Sequence, residues 1–351
     1  MSGTPVRFGL IGCGEIAMQS LKALQAAEGC AVTAVQDVVA DLARDTGAKL
    51  GVAHFTNVDD LLARSDVDAV VLSTPHFLHA PLAIQAARAG KHIACEKPIA
   101  CTLAQADEMI AVCRDAKVKL SVNYISRYSP MVLKTKALLE AGAIGKIIRY
   151  QIHIAADKPE SYWSGGYTGR AKSDWRQSKE KSGGGVLVMN LSHDIDRVMW
   201  IAGLVPERVF AEAATHSTPV EVEDNISAVV RFTNGAIGSI DAMSCARGKE
   251  GFGNRLYGTE GQIEMAHPLR VFTTREDVPG CKPKEWSTLE VGGALWSTDE
   301  RTAYFVDLAK AIQEDRTPLI SGEEARKVLA LCVAIYESAA TNRAQSVDWR
   351  Q

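Results

Sequence analysis

The sequence predicts an α/β protein, with a parallel sheet in its N-terminal part and an α+β C-terminal part on a largely antiparallel sheet. Up to Val122, short apolar runs alternate with amphipathic helical stretches, which is typical of a parallel sheet covered on both faces. Beyond Pro206, alternating strand-like segments predominate, and two of them flank the hairpin signal Asn234-Gly235. The predicted domains are residues 1–123 and 124–351.

The first apolar run ends in a glycine-rich turn that predicts a dinucleotide site. Val6–Ile11 is typical of a buried strand, and glycines and a small residue follow at the spacing G-x-G-x-x-A. Gly12 permits a tight turn, and Gly14 lets the backbone approach a pyrophosphate. A helix begins at Glu15 and Ile16, where exposed N–H groups would bind the phosphates. Taken alone, the pattern also fits an ordinary strand-to-helix turn.

An acidic residue supports the dinucleotide interpretation. The second strand, Ala31–Gln36, ends at Asp37, about twenty residues after the glycines, where the fingerprint requires a partner for the adenosine ribose. A carboxylate there accepts hydrogen bonds from ribose hydroxyls and repels a 2′-phosphate. A solvated aspartate at a strand end is the alternative. The order strand, glycines, helix, strand and acid predicts a Rossmann domain that binds NAD in preference to NADP.

The other predicted strands of this domain place further polar residues at the same edge. They are Ala69–Leu72, His92–Ala94 and Val118–Val122. Ligands of such sheets bind at the carboxyl ends of the strands, so the residues after each strand should converge on one crevice. The cofactor contacts expected there are Ser73, Thr74, Pro75, His76, His79, Glu96, Lys97 and Asn123.

Composition limits the class of partner. A net charge of −3 gives no electrostatic case for nucleic acid or an anionic membrane, and no apolar run is long enough to span a bilayer. Without a basic-then-apolar leader at the N-terminus, we expect a cytoplasmic protein that acts on a small molecule. The eight cysteines form no CxxC pair and are expected to be buried thiols. His76-x-x-His79 has zinc-like spacing but no second Cys/His pair nearby, so no metal is predicted.

Lys97 is a candidate for proton transfer. It follows a strand, and Pro98 biases it to an extended backbone. A lysine held over the crevice and partly desolvated can have a lowered pKa. The alternative is a solvated lysine in a turn, or one paired with Glu96.

A second candidate group lies on a glycine-preceded helix. Gly183-Gly184-Gly185 allows a close approach to another backbone, and the helical run Val186–Ile201 follows. Asn190, His193 and Arg197 are spaced to share one face of this otherwise apolar helix. His193 suits acid/base chemistry near neutral pH, and a satisfied core histidine is the alternative.

Together these motifs resemble the glucose–fructose oxidoreductase/inositol 2-dehydrogenase (Gfo/Idh/MocA) family, in order over almost the whole chain. The resemblance implies an NAD(P)-dependent sugar or polyol dehydrogenase that commonly forms dimers or tetramers through its open sheet. The motifs that carry it are the glycine turn, Thr74-Pro75 with His79, Glu96-Lys97-Pro98, Trp175-Arg176, the glycine helix with His193-x-x-Asp196, and Gly258-Thr259-Glu260-Gly261.

The resemblance also implies that Lys97 and His193 are the catalytic acid/base residues. Many relatives carry an aspartate four residues before the histidine, whereas this chain has Met189 there, with Asn190 beside it. We therefore expect Lys97 to be the main proton acceptor, and Asn190 and His193 to bind and position the substrate hydroxyl.

An aromatic loop before the glycine helix suits a polyol, because rings stack on C–H faces and polar groups bind hydroxyls. A loop tucked over the sheet edge is the alternative. The substrate contacts expected are Tyr124, Arg127, Tyr162 and Trp163, in addition to Lys97, Asn190 and His193, while Trp175 and Arg176 are expected to contact the cofactor.

The predicted function is hydride transfer between nicotinamide and a hydroxyl carbon of a sugar, cyclitol or sugar derivative. The alternatives are an NAD-dependent glycosidase that oxidises its substrate transiently, and a nucleotide-sensing regulator. Retention of both Lys97 and His193 argues against the regulator. The sequence identifies neither the sugar, the oxidised carbon, the direction, nor dimer against tetramer.

Overall fold

The computed structural model describes residues 4–248, 252–292 and 297–350. They form two compact units, each assembled from separate stretches of chain. The first unit comprises Met1–Ile125, Pro159–Gly183 and Ser297–Arg326, and the second comprises Ser126–Lys158, Gly184–Trp296 and Lys327–Gln351. The domain boundary after residue 123 stays a prediction, and compactness adds two later segments to the N-terminal unit.

A parallel sheet forms the centre of the first unit. Its described strands are β1 Val6–Ile11, β2 Cys30–Gln36, β3 Ala53–Phe55, β4 Ala69–Leu72, β5 His92–Cys95 and β6 Leu120–Val122. They pair in the order β3-β2-β1-β4-β5-β6, which is the Rossmann order and confirms the predicted parallel sheet. β3 was not predicted, because three residues are too short for a periodic pattern, and only pairing with β2 identifies it.

The second sheet is mixed but mostly antiparallel, as predicted. Its described strands are β7 Ile147–Ala155, β8 Pro206–Ala214, β9 Asn225–Phe232, β10 Ile237–Met243, β11 Phe252–Gly258, β12 Gly261–Glu264, β13 Leu269–Thr273, β14 Trp286–Leu289 and β15 Gln345–Ser346. The order is β14-β13-β12-β11-β7-β10-β9-β8-β15, with β7 and β10 parallel. β9 and β10 form the predicted hairpin, with Gly235 at φ +86° in its turn.

The described helices surround these two sheets. They are α1 Glu15–Ala26, α2 Ala40–Leu50, α3 Val58–Leu62, α4 His79–Arg88, α5 Leu103–Asp115, α6 Pro130–Glu140, α7 Glu160–Gly165, α8 Lys179–Ser182, α9 Ser192–Ala202, α10 Thr298–Gln313 and α11 Gly322–Thr341. The segment predicted as an aromatic loop therefore contains two short helices, α7 and α8. Among these described helices, none has the length and apolar character needed to cross a bilayer.

Helix α10 matters for the site because it returns the C-terminal part of the chain to the first sheet. It packs against α1 and β1, with the rings of Phe305 and Phe8 5.9 Å apart and edge-on. Both phenylalanines are fully buried. This packing holds the first turn of α10, which carries Arg301, beside α1.

Candidate functional site

The glycine turn of the first unit has the geometry that a dinucleotide requires. Gly12 has φ +90°, and a Cβ there would lie 2.7 Å from the carbonyl oxygen of Ser73, so only glycine fits. Gly14 directly precedes α1, and the nearest atom to its position for a Cβ is the Cβ of Ala171 at 3.8 Å. The backbone at the start of α1 is therefore open to a phosphate group.

Asp37 is oriented by the backbone. Its Oδ2 accepts a hydrogen bond from the Cys13 N–H (2.7 Å) and its Oδ1 accepts one from the Val39 N–H (2.8 Å). Each carboxylate oxygen keeps a second acceptor site. The side chain is half-buried, so it is held in one orientation and can still accept hydrogen bonds from ribose hydroxyls.

Polar side chains at the carboxyl ends of β4 and β6 also fit a bound dinucleotide. Ser73 Oγ, Thr74 Oγ1 and Asn123 Oδ1 are buried, and none has a hydrogen-bond partner within the described ranges. Buried polar atoms are rarely left unsatisfied, and each costs free energy when it is. A ligand at this edge of the sheet would supply the missing partners.

The two histidines that follow β4 contact protein carbonyl groups through their ring nitrogens. The Nδ1 of His76 lies 2.7 Å from the Ser182 carbonyl, and its ring lies 4.4 Å from that of Trp175. The ring nitrogens of His79 lie 2.7 Å from Pro98 O and 3.0 Å from Thr74 O. Burial lowers the pKa of both imidazoles. With both nitrogens engaged, His79 braces the loops after β4 and β5, which weighs against its predicted contact with the cofactor.

Glu96, which precedes Lys97, is the centre of a buried polar cluster. Its Oε1 accepts hydrogen bonds from Arg301 Nη1 (2.7 Å) and Asn123 Nδ2 (2.5 Å), and Arg301 also lies 3.3 Å from Ser20 Oγ. Sequence reasoning missed Arg301, because its partner is 205 residues away. Burial is the main reason that the pKa values of His76 and His79 are lowered, and the positive charge of Lys97 lowers both further.

The segment 159–183 belongs to the first unit and crosses its glycine turn. Arg170 donates to Cys13 O (2.8 Å) and to Thr46 Oγ1 (3.1 Å). The carboxylate of Glu15 accepts the Tyr167 N–H (2.9 Å), so this predicted cofactor residue anchors the segment through its side chain. Arg170 is a second residue that sequence reasoning missed, since nothing in its local pattern indicates a partner at the glycine turn.

The aromatic residues of this segment gather around one guanidinium group. The Cζ of Arg176 lies 4.5 Å from the ring of Trp175 and 5.1 Å from that of Tyr162. Trp163 follows and is 3% exposed. The structure thus brings together three of the residues predicted for cofactor or substrate contact.

The second unit carries the glycine helix. A Cβ on Gly185 would lie 2.0 Å from the carbonyl oxygen of Glu223, which confirms the predicted close approach of backbones. The carboxylate of Glu223 accepts the N–H groups of Gly185 (2.7 Å) and Leu187 (3.0 Å) and the hydroxyl of Tyr336 (2.8 Å). These contacts satisfy backbone donors at the start of a helix.

The first turns of this helix are π-helical, over Leu187–Leu191. π-Helical turns occur frequently at functional sites. From Gly184 to Met199 every residue is buried except Asn190 and His193. The structure therefore presents both predicted residues at the helix surface.

Arg197 does not share that surface, contrary to the spacing argument. It is 2% exposed and pairs with Asp194, whose carboxylate also accepts the Nδ2 of Asn254 (2.7 Å). The ion pair with Asp194 draws the guanidinium group of Arg197 into the core.

Four predicted substrate residues are also buried. Arg127 is 2% exposed, pairs with Asp196 (2.6 Å) and lies 5.3 Å from the ring of Trp200. The aromatic residues Tyr124, Tyr162 and Trp163 are 1%, 8% and 3% exposed. Their burial weighs against direct contacts between these side chains and the substrate. Sequence patterns alone do not distinguish a buried aromatic or arginine side chain from one that lines a binding surface.

Comparison with known proteins identifies the family. Residues 6–124 match the model "Oxidoreductase family, NAD-binding Rossmann fold", and residues 132–264 match "GFO/IDH/MocA C-terminal domain". The chain is 30% identical over 352 residues to the 1,5-anhydro-D-fructose reductase of Ensifer adhaerens, covering 97% of this chain and 98% of the relative.

Solved structures agree with this assignment. The WlbA dehydrogenase of Bordetella pertussis, in complex with NADH and UDP-GlcNAcA, superposes with a TM-score of 0.83 at 27% identity, over 98% of this chain and 99% of its own. A levoglucosan dehydrogenase in complex with NADH and levoglucosan gives 0.86 at 26% identity, over 98% and 100%. The chain therefore belongs to the Gfo/Idh/MocA oxidoreductase family and carries its NAD-binding Rossmann domain.

Proposed function

We propose that this chain transfers a hydride between NAD and a hydroxyl carbon of a sugar, cyclitol or sugar derivative. The observation that carries the proposal is the position of Lys97 in the chain, at the carboxyl edge of the Rossmann sheet. Its neighbour Glu96 is hydrogen-bonded to Arg301, and the carbonyl group of its other neighbour, Pro98, contacts His79. A sugar-like substrate is supported by two of the similar proteins, the 1,5-anhydro-D-fructose reductase and the levoglucosan dehydrogenase.

The cofactor would be held by the glycine turn and the strand ends. The backbone at Gly14 would bind the pyrophosphate, and Asp37 would accept the ribose hydroxyls. Because a carboxylate repels a 2′-phosphate, the proposed preference is NAD over NADP. When bound, NAD supplies the hydride acceptor for oxidation.

The residues of the chain would manage the proton. In the oxidising direction, Lys97 Nζ takes the proton of the substrate hydroxyl as the C–H hydride departs, which leaves a carbonyl group. Asn190 and His193 hold the hydroxyl by hydrogen bonds and stabilise the charge that develops on its oxygen. Met189 cannot supply the carboxylate that would raise the basicity of His193, so Lys97 carries the proton transfer.

The test combines a substrate panel with two variants. Sugars, cyclitols and sugar acids are scored for NADH at about 340 nm. Loss of a positioned acid/base group costs on the order of 10²–10⁴ in rate, so Lys97→Ala should lose at least about a hundredfold in kcat and still bind NADH. His193→Ala should lose less, and Lys119→Ala, at the amino end of β6, should retain activity.

Near-normal turnover of Lys97→Ala across the pH range would contradict the assignment, and a more damaging His193→Ala would exchange the two roles. Consumption of a glycoside with no net NADH would favour the glycosidase alternative instead.

We also propose a homodimer or homotetramer formed through the second sheet. Phe210, Val229 and Ile237 lie on one face of β8, β9 and β10 and are 45%, 55% and 38% exposed. Exposed apolar side chains clustered on a sheet face mark an interaction surface. Light scattering at micromolar concentration should give at least twice the chain mass, and Val229→Glu should reduce it. A monomer mass for the wild type would refute the proposal.

A further inference from the structure

Segment 159–183 is tied to the rest of the first unit at two places. In its middle, Arg170 donates hydrogen bonds to Cys13 O (2.8 Å) and to a threonine hydroxyl on α2 (3.1 Å). At its end, the carbonyl oxygen of Ser182 lies 2.7 Å from Nδ1 of His76. The first tie is at the glycine turn after β1, and the second is at the loop after β4. The segment therefore crosses the carboxyl edge of the sheet at the switch point between these strands, where dinucleotides bind.

The stretch between the two ties faces the place expected for the pyrophosphate. The Cβ of Ala171 lies 3.8 Å from the position that a Cβ on Gly14 would take, beside the start of α1. On the far side, the Sγ of Cys101 lies 3.6 Å from the carbonyl oxygen of Lys181, which extends the contact to the loop after β5. A dinucleotide at the switch point is therefore expected to lie beneath this segment.

The two ties differ in their exposure to solvent. His76 is 6% exposed and Ser182 is fully buried, so their contact is shielded from water. At the other tie Arg170 is exposed, and the N–H of Tyr167, a residue that is 59% exposed, is accepted by the carboxylate of Glu15 (2.9 Å). Solvent-exposed hydrogen bonds open at a lower free energy than buried ones. The side of the segment that carries Arg170 is therefore the side expected to open.

We propose that segment 159–183 is a strap that retains the bound dinucleotide. It opens at Arg170 to let NAD(H) enter and leave, and it stays fixed at Ser182. The inference rests on the proposed function, through the position of NAD at the glycine turn. In many enzymes the opening of a covering loop or the release of product limits kcat. The strap governs the rate of cofactor exchange, while the acid/base groups govern the chemical step.

Gly166 offers a way to loosen the strap without changing any charge. It has φ +73°, and a Cβ there would overlap the carboxylate of Glu15. Gly169 has φ +67°, and no atom of the described residues, apart from its own chain neighbours, lies within 4 Å of its Cβ position. A positive φ strains alanine at both positions, but only Gly166→Ala displaces the carboxylate. Because neither substitution alters a charge, a difference between them does not come from weaker attraction of the phosphates.

The first measurement is the rate at which the full-length protein releases NADH, followed by stopped-flow fluorescence with excess NAD as competitor. Gly166→Ala should release NADH at least about tenfold faster than Gly169→Ala, which is the matched control and should stay close to the wild type. Equal release rates for the two variants overturn the inference.

Limited proteolysis by trypsin tests the same opening in the wild type and needs no variant. The bonds after Arg170 and Lys172 lie on the opening side of the strap, and those after Lys179 and Lys181 lie next to its fixed end. NADH should slow cleavage after Arg170 and Lys172 at least about tenfold, and affect the other two sites much less. Equal protection of all four sites, or protection of none, overturns the inference even where Gly166→Ala does not fold.

The outcomes also separate the strap from the proposed function. If a fluorescence titration of the wild type shows no binding of NADH, both proposals fail. Faster release from Gly166→Ala without oxidation of any sugar in the substrate panel supports the strap and counts against the proposed function. Oxidation of a sugar together with equal release rates supports the proposed function and overturns the strap.

Discussion

The cap on the glycine helix allows a stability prediction worked from single contacts. Glu223 accepts hydrogen bonds from two backbone N–H groups, of Gly185 and Leu187, and from the hydroxyl of Tyr336. Glu223→Ala leaves the two buried N–H groups without this acceptor, at about 1–3 kcal/mol each. We expect the free energy of unfolding to fall by about 3–5 kcal/mol, as for other broken buried polar networks.

Glu223→Gln should cost much less. Burial raises the pKa of Glu223, which means that its charged form gains less from the three donors than it loses by leaving water. The glutamine keeps the shape and one acceptor oxygen, so we expect a loss of about 1–2 kcal/mol at pH 7. Tyr336→Phe, which removes one hydrogen bond, is the matched control at about 1 kcal/mol.

The raised pKa also sets the sign of the pH dependence. Between the unfolded and the folded pKa of Glu223, the folded state binds more protons, so this group adds stability as the pH falls through the folded pKa toward the unfolded one. The glutamine variant lacks this gain, and its deficit relative to the wild type should grow from pH 7 to pH 5.

Urea unfolding followed by circular dichroism at both pH values measures these differences. The reasoning would be refuted by Glu223→Ala within about 0.5 kcal/mol of the wild type, or by a deficit of Glu223→Gln that shrinks at pH 5.

Two further predictions concern the cofactor. Asp37→Ser removes charge-assisted hydrogen bonds worth about 1.5–3 kcal/mol, so NAD should bind roughly 10–100-fold more weakly. The preference of the enzyme for NAD over NADP should narrow in this variant. An equal or better kcat/KM with NADP in the wild type would contradict the prediction. Arg170→Ala unties segment 159–183 from Cys13 and Thr46, so NADH release, followed by stopped-flow fluorescence, should accelerate at least about tenfold. Arg44→Ala, an exposed arginine on α2, is the control, and equal release rates for both variants would refute the prediction.

The parallel sheet and its ligand edge were predictable because both depend on local pattern. Apolar strands such as Ala69–Leu72 lie between amphipathic helices, and parallel strands must end at one edge. Short elements were not predicted from the sequence. β3, for example, spans only three residues, and its strand character comes from pairing with β2. The π-helical turn at Leu187–Leu191 was also not predicted, because reading helical spacing from a sequence assumes 3.6 residues per turn.

The supporting residues of the site were not predictable from pattern at all. Arg301 reaches Glu96 across 205 residues, and Arg170 reaches Cys13 across 157. Periodicity reports which face of an element is apolar, and it carries no information on which distant partner a polar side chain will meet. Sequence pattern therefore indicates candidates for the reactive groups, whereas the contacts that hold the surrounding backbone are visible only in the structure.

The buried ion pair between Arg127 and Asp196 shows why such support is retained at a cost. Arg127 and Asp196 have side chains 3% and 0% exposed, and taking both charges out of water offsets most of their attraction, so an apolar pair of similar volume would stabilise the fold as well or better. What an apolar pair lacks is direction: the guanidinium group of Arg127 fixes one orientation of Asp196, and Asp194 is fixed likewise by Arg197 and Asn254. Catalytic groups must be held to within about 0.5 Å of their productive geometry. If Asn190 and His193 act as proposed, a helix that buries every other residue from Gly184 to Met199 and pairs its charged side chains would meet that requirement through orientation rather than through net stability.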